Sequence, residues 1–257
     1  MTSSNVYKDC SKVLLLISLI IGFTNAILPK SIEVCSRNDE DIEKCIVNSV
    51  MKLQPLLASG KLDDGYEVPA IEPFRYDDFI IEHGPNFRVE IRNLESYNGS
   101  NFSIEKFKFN IDKLTFDFII SVPKIRLTAK YKLKVKLTVL DIAGNGDMES
   151  TVKNSKVRMK LYGKLIDNSD GTKTMIFEKA NVRIIPGESK IFLKNLFNGD
   201  PTLGKVGNDL INENQDLFLN DIVPVLEKQF SEIFKKVAND VIGRATVDEI
   251  LPDKPVN

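Results

Sequence analysis

The 257-residue sequence has no tryptophan, one histidine, three cysteines and only eight arginines against 27 lysines. Each shortage closes a line of explanation. A single histidine, His83, gives no basis for a histidine-rich metal site and little for a nucleophile–base pair. It stands in Glu82-His83-Gly84-Pro85, which reads as a solvated loop. Arginine reads phosphates and base edges bidentately, and a formal charge of -1 lacks the cationic excess that releases phosphate counterions. Nucleic acid is therefore not an expected partner. There is no Gly-x-Ser-x-Gly elbow, no His-Glu-x-x-His, no phosphate loop and no dinucleotide fingerprint. Gly144-Asn145-Gly146 has two glycines of such a fingerprint and lacks the third. A pair of carboxylates acting on glycosides remains as the enzymatic alternative. The expectation is a non-enzyme that needs neither a cofactor nor a metal.

Long hydrophobic runs are missing too. Residues 13–23 are apolar, but eleven residues rise only about 16 Å as a helix, against roughly 30 Å of bilayer hydrocarbon. Lys8 and Lys12 precede the run and Thr24-Asn25-Ala26 follows it, a signal-peptide pattern with cleavage after Ala26. A signal anchor or a buried N-terminal helix is the alternative. Residues 1–26 thus read as a signal peptide and 27–257 as one secreted domain. That domain has 33 basic and 35 acidic residues, a formal charge of -2. Cys10 leaves with the signal. Cys35 and Cys45 remain, nine residues between them, and in an oxidising compartment they imply one disulfide. Closing so short a loop is worth about 2–3 kcal/mol, so a hydrophobic core must carry the fold. Two overlapping acceptor sequons, at Asn98 and Asn101, fit a secreted loop, with one of them glycosylated.

What is present follows two periods. Asn38 or Asp39 can cap a helix with Glu40, Asp41 and Glu43 in its first turn and Gly60 as its stop. Pro69 and Pro73 bracket an extended segment. From Phe107 onward apolar and polar residues alternate, the mark of strands with one dry face. The apolar parity slips before Leu114 and again after Pro123, and each slip must be a turn or a bulge, since a one-residue slip exchanges the faces. Residues 125–139 alone would reach roughly 50 Å as a strand, a length that suits a curved sheet. Turns are expected at Gly144-Asn145-Gly146, at 168–171 and at Pro186-Gly187. Beyond Asp200 the period becomes helical: one short helix, then a long apolar stripe from Leu217 to Val241, with Pro224 set to kink it or begin its second half. The whole reads as α+β, a long antiparallel meander followed by helices.

The run Asn195-Leu196-Phe197-Asn198-Gly199-Asp200, then Leu203-Gly204, Asn208, Leu210 and Asn212-Glu213-Asn214, resembles a C-terminal motif of the insect takeout and haemolymph juvenile-hormone-binding proteins. The cysteine pair, the 69–73 segment, and Tyr131 leading to Leu140-Asp141-Ile142-Ala143-Gly144-Asn145-Gly146 agree with it. Gln215 stands where that family usually has Trp, and Asp141 where it usually has Pro. The resemblance implies a tubular lipid-binding super-roll, a strongly curved antiparallel sheet wrapped around a long helix with an apolar tunnel inside. It also implies a secreted carrier of a juvenile-hormone-like terpenoid or fatty acid, in haemolymph or sensory-tissue fluid, linked to circadian, feeding or behavioural output. The single disulfide resembles the takeout branch.

Such a carrier needs no catalytic constellation. Burying about 15 methylenes at roughly 0.8 kcal/mol each gives about 12 kcal/mol gross, and association costs on the order of 4 kcal/mol or more. The residues expected to line the tunnel are Phe116, Phe118, Leu133, Val135, Met159, Phe230 and Phe234, aromatics and adaptable apolar residues on dry faces. The expected partner is a small lipophilic ligand bound to a monomer, with a receptor or other protein as a second partner. The alternative is a membrane-engaging lipid-transfer or antimicrobial protein, suggested by Lys124, Arg126, Lys130, Lys132, Lys134 and Lys136 on one strand face. A solvated outer face that discourages edge association explains those cations more simply, so membrane contact is not expected. A ligand-free protein whose own side chains fill the tunnel is a third possibility.

Overall fold

The computed structural model describes residues 28–63, 66–137 and 140–254. The expected signal peptide, with Cys10, lies outside them. Among the described residues the first helix is α1 (Ile42–Ser59), which ends at Gly60 as expected. Its start lies later than the expected cap. Asp39 accepts from the Asp41 amide at 2.8 Å, closing a turn that precedes the helix, and Asp41 is the cap residue. The Cys35–Cys45 disulfide is present, with Cα atoms 5.9 Å apart, and ties the leading segment to α1. That segment also holds the C-terminal end: the Arg37 amide donates to the Pro252 carbonyl at 2.9 Å, and Ser36 and Asn38 side chains both donate to the Asp253 carbonyl at 3.1 Å.

Eight strands form one antiparallel sheet: β1 (Phe74–Arg75), β2 (Phe79–Glu82), β3 (Phe87–Tyr97), β4 (Ser103–Asn110), β5 (Thr115–Leu137), β6 (Leu140–Asp167), β7 (Lys173–Ile185) and β8 (Glu188–Leu193). The spine is the β5–β6 hairpin, paired from Thr115 opposite Tyr162 to Leu137 opposite Leu140. Straight, β6 would extend roughly 90 Å. It bends instead, along a line crossing every layer of the sheet. On one side of β5, β3 pairs as far as Arg126 and β4 takes over at Ser121, with residues 98–102 turning between them. On β5 the line passes Pro123, on β6 Asn154 with φ of 55°, and on the far edge Pro186-Gly187.

Three sequence expectations change here. The parity slip at Pro123 ends no strand; β5 runs through it, with Lys124 opposite Lys153 and Val122 opposite Ser155. Pro186-Gly187 makes no hairpin, because β7 and β8 both pair with β6 and lie end to end along it. Glycine is needed at 187 because a Cβ there would stand 2.0 Å from the Lys153 carbonyl oxygen. Gly144-Asn145-Gly146 is not a turn but part of β6, opposite Leu133, Lys132 and Tyr131. Its glycines admit the chain that crosses above them: a Cβ on Gly146 would lie 2.4 Å from the Lys194 carbonyl oxygen, and one on Gly144 2.9 Å from the Leu196 Cα. The Tyr131 hydroxyl donates to that same Lys194 carbonyl at 2.7 Å. The 168–171 turn is present, with the Gly171 amide donating to the Asn168 carbonyl at 3.1 Å.

Helices α2 (Pro201–Glu213), α3 (Gln215–Ile242) and the short α4 (Val247–Ile250) complete the chain. Asp200 caps α2, its carboxylate accepting from Thr202 and Leu203 amides at 2.9 Å. No new helix begins at Pro224: α3 spans it, with the ring exposed.

Residues on the helices replace the missing strand beyond β8 and β7. Asn208 accepts from the Leu193 amide at 2.7 Å and donates to the Leu193 carbonyl at 3.0 Å. Asn212 does the same for Ile191, both at 2.8 Å. Asn239 pairs with Phe177 at 2.7 and 2.9 Å. Along β7, Glu227 accepts from the Ile184 amide at 2.8 Å and Ser231 from Val182 at 3.0 Å. Positions i and i+4 of a helix rise about 6 Å, and alternate strand residues about 6.6 Å, so successive amides meet successive inward-facing strand residues. The edge is thereby closed against pairing with another chain.

Helix α3 reaches the opposite edge as well. Gln229 accepts from the Asp77 amide at 3.0 Å and donates to its carbonyl at 3.2 Å, and His83 Nε2 lies 3.1 Å from Asp221. One helix touching both edges means the sheet is rolled around it. Two apolar clusters lie inside, one on each side of the bend. The first joins β3, β5, β6 and β8 to α2 and to Phe218, Ile222 and Leu226 of α3. The second joins β4 to β7 with α1 and with Phe230, Phe234, Ala238 and Ile242 of α3.

Candidate functional site: the interior of the roll

The inner stripe of α3 repeats every four residues, from Phe218 through Ile222, Leu226, Phe230, Phe234 and Ala238 to Ile242. It rises roughly 36 Å, so the helix presents an apolar strip the length of the roll. Only Phe218 of that stripe is fully buried; the others keep accessible surface while facing the sheet. Ile104, Ile120 and Val157 across from it keep accessible surface as well.

Of the seven residues expected to line a tunnel, Phe116, Phe118, Met159, Phe230 and Phe234 meet in the second cluster. Leu133 and Val135 belong to the first, beyond the bend. All seven face inward, and Phe116, Phe118, Leu133, Val135 and Met159 are buried. The structure shows which other rings they meet. Phe107 lies 4.4 Å from Phe118, and Phe116 packs against Phe109 at 4.6 Å and Phe177 at 5.4 Å. On the helix side Phe74 stacks on Phe230 at 4.8 Å, Tyr76 meets the same ring edge-on at 5.4 Å, and Phe230 stacks on Phe234 at 5.7 Å. Phe74 and Tyr76 were missed because they stand in the proline-bracketed segment, where no period runs long enough to read.

Charge is kept out of this interior. Among the described residues the buried charged side chains are Glu90 and Glu227. Glu90 sits on the outer face between Arg88 at 2.8 Å and Arg92 at 3.3 Å, and the hydrogen bond from Arg88 holds its carboxyl below the usual carboxylate range. Glu227 pairs with Arg183 at 2.8 Å on the β7 edge. The lysine stripe of β5 is also outside, and acids answer part of it. Lys130 pairs with Asp147, Lys132 lies 4.0 Å from Glu90, and Arg126 covers the Tyr97 ring at 4.7 Å. Two open clefts of about 460 and 610 Å³ follow the outside of the seam, between β8 and α2 and between β7 and α3. Among the described residues no group of three or more His, Cys, Asp or Glu could hold a metal ion, and no helix is long and apolar enough to cross a membrane.

The sequence profile of the haemolymph juvenile hormone binding proteins matches residues 13–252. The chain belongs to that family. Within its range of relatives, the circadian clock-controlled protein daywake of Drosophila melanogaster is 21% identical over 232 residues, covering 86% of this chain and 87% of the relative. The daywake protein of Drosophila yakuba is 22% identical over 194 residues, covering 71% and 74%. Among solved structures, Takeout 1 of Epiphyas postvittana superposes with a TM-score of 0.72 at 19% identity, over 85% of this chain and 99% of that one. The fold shared with Takeout 1 is the rolled sheet around a helix described above. In family terms, the asparagine-rich motif has a structural role here, since Asn208 and Asn212 are the side chains that seal β8. Gln215, the residue in place of the usual Trp, begins α3 and meets the Ser189 hydroxyl. Asp141, in place of the usual Pro, stands in β6 opposite Lys136.

Proposed function

We propose that this member of the juvenile hormone binding family is a secreted carrier that holds one long lipophilic molecule, a juvenile-hormone-like terpenoid or a fatty-acid derivative, between α3 and the sheet. The observation that carries the reading is the inner stripe of α3, apolar throughout and packed against both apolar clusters inside the roll. Phe116, Phe118, Met159, Phe230 and Phe234 form the aromatic end of the tunnel, and Leu133 and Val135 the aliphatic end. Binding there draws chiefly on apolar burial and calls for no charged contact. Transport rather than catalysis is the role, and a link to circadian output rests on the daywake relatives. Secretion is supported by the disulfide and the signal-peptide pattern, and the exposed Asn98 and Asn101, in the turn between β3 and β4, are the proposed alternative glycan sites.

A homologous series of alkyl compounds tests the reading through displacement of a fluorescent naphthylamine probe. Each added methylene buried at about 0.8 kcal/mol should tighten binding about fourfold until the tunnel is full. Affinity that does not grow with chain length would remove the tunnel from the account.

A further inference from the structure

Between the two apolar clusters the inner face of the sheet carries buried hydroxyls. Strand pairing puts Phe74, Ser96, Leu127, Ser150 and Ile191 in one row from β1 to β8. Ser96 and Ser150 are buried in that row. Tyr76 stands beside it, its amide donating to the Leu94 carbonyl at 3.1 Å and its hydroxyl 3.4 Å from the Ser96 hydroxyl. Phe74 and Phe230 flank the Tyr76 ring at 4.9 and 5.4 Å, so the hydroxyl pair lies between sheet and helix, inside the roll.

An apolar wall gains nothing from two hydroxyls, since each costs free energy when buried without a good partner. Their mutual hydrogen bond is at the long limit of the range. When Tyr76 donates to Ser96, the serine hydrogen and the tyrosine lone pairs remain for a third group. The tyrosine stays a neutral donor, because loss of water pushes its phenol up to about 12 against a smaller opposing effect of Ser96. The cations near in sequence are engaged elsewhere, Arg75 with Glu95 at 2.9 Å and Arg92 with Glu90 at 3.3 Å, so neither is free to neutralise a buried carboxylate there.

We propose that Tyr76 and Ser96 are the polar anchor of the tunnel, gripping a neutral oxygen function (an ester, ketone or alcohol) on a long apolar chain and disfavouring an ionised fatty acid. This rests on the carrier reading and narrows its ligand class.

The test is displacement of N-phenyl-1-naphthylamine from wild type, Tyr76→Phe and Ser96→Ala by methyl palmitate, hexadecanol, hexadecane and palmitate, at a pH where palmitate is ionised. Loss of one hydrogen bond should weaken the ester and alcohol about threefold to tenfold in both variants and leave hexadecane unchanged. Wild type should prefer the ester to palmitate. Ester and alcohol affinities unchanged in both variants, or a wild-type preference for palmitate, would overturn the anchor and leave the carrier standing. Displacement by none of the four compounds would overturn both. Circular dichroism melts of each variant separate lost binding from lost folding, and Ser96→Ala, the smaller change, decides the matter should Tyr76→Phe fail to fold.

Discussion

Replacing Asn208 by alanine removes one carboxamide and leaves two main-chain groups without partners. In the folded protein that amide accepts from the Leu193 amide at 2.7 Å and donates to the carbonyls of Leu193 and Gly204, each at 3.0 Å. Asn208 is buried, so water cannot readily take its place. An unsatisfied buried polar group costs about 1–3 kcal/mol, and the Leu193 N–H and C=O are both affected, which gives about 2–6 kcal/mol for Asn208→Ala. At this chain size that is about 4–24 °C in Tm. Asn208→Asp should be worse, since it keeps the acceptor but turns a negative charge toward two carbonyl oxygens. Asn214→Ala is the control, because Asn214 is exposed and only reaches the Leu210 carbonyl at 2.8 Å, so its loss should cost about 1 kcal/mol or less. Urea unfolding with the slope checked for constancy is the assay. An Asn208→Ala protein within about 0.5 kcal/mol of wild type would refute the idea that helix amides stand in for a strand along this edge.

Three further outcomes are expected. Converting Cys35 and Cys45 to serine opens a loop of sequence separation 10 and should cost about 2–3 kcal/mol by equilibrium unfolding; unchanged stability would place the support of the N-terminal segment in its contacts with residues 251–253 alone. Gly146→Ala puts a methyl 2.4 Å from the Lys194 carbonyl oxygen, and the displaced crossing segment should lower stability by about 1–3 kcal/mol in the same assay; a silent substitution would mean that segment is free to lift. Acidification should destabilise the fold. Glu90 and Asp117 are held below their ordinary values chiefly by hydrogen bonds from Arg88 and Arg158, so their contribution is present above the unfolded carboxylate range and is lost as pH falls through the depressed values. Urea midpoints taken from about pH 6 to about pH 3 should fall, less steeply in Glu90→Gln, and a flat profile would contradict these pairings.

The sequence made the dry and wet faces of the sheet readable because a period of two survives any curvature. From it Phe116, Phe118, Leu133, Val135 and Met159 were assigned inward, where they are. The same reading could not tell a turn from a bend. Pro123 and Pro186-Gly187 each look like local interruptions, yet with Asn154 they fall on one line because β6 pairs there with β5 on one side and with the ends of β7 and β8 on the other, a fact that only register supplies. Gly144-Asn145-Gly146 read as a turn from its composition, whereas its glycines answer to a segment about fifty residues later in the chain. Likewise Asn208, Asn212 and Asn239 are polar residues on helices until the strand edge beside them is known. Tyr76 and Ser96 had no period to announce them; they meet because the chain just past β1 stays bonded to β3, and Phe230 of α3 packs against the Tyr76 ring.

The central claim is that the roll encloses a lipophilic cargo, and native mass spectrometry of protein secreted from eukaryotic cells addresses it most directly. A carrier should show the folded chain with one lipid-sized adduct that organic extraction releases, and the emptied protein should take up a long-chain ester with one-to-one stoichiometry. A bare chain mass, together with failure of the extracted protein to bind any member of a long-chain series, would contradict it.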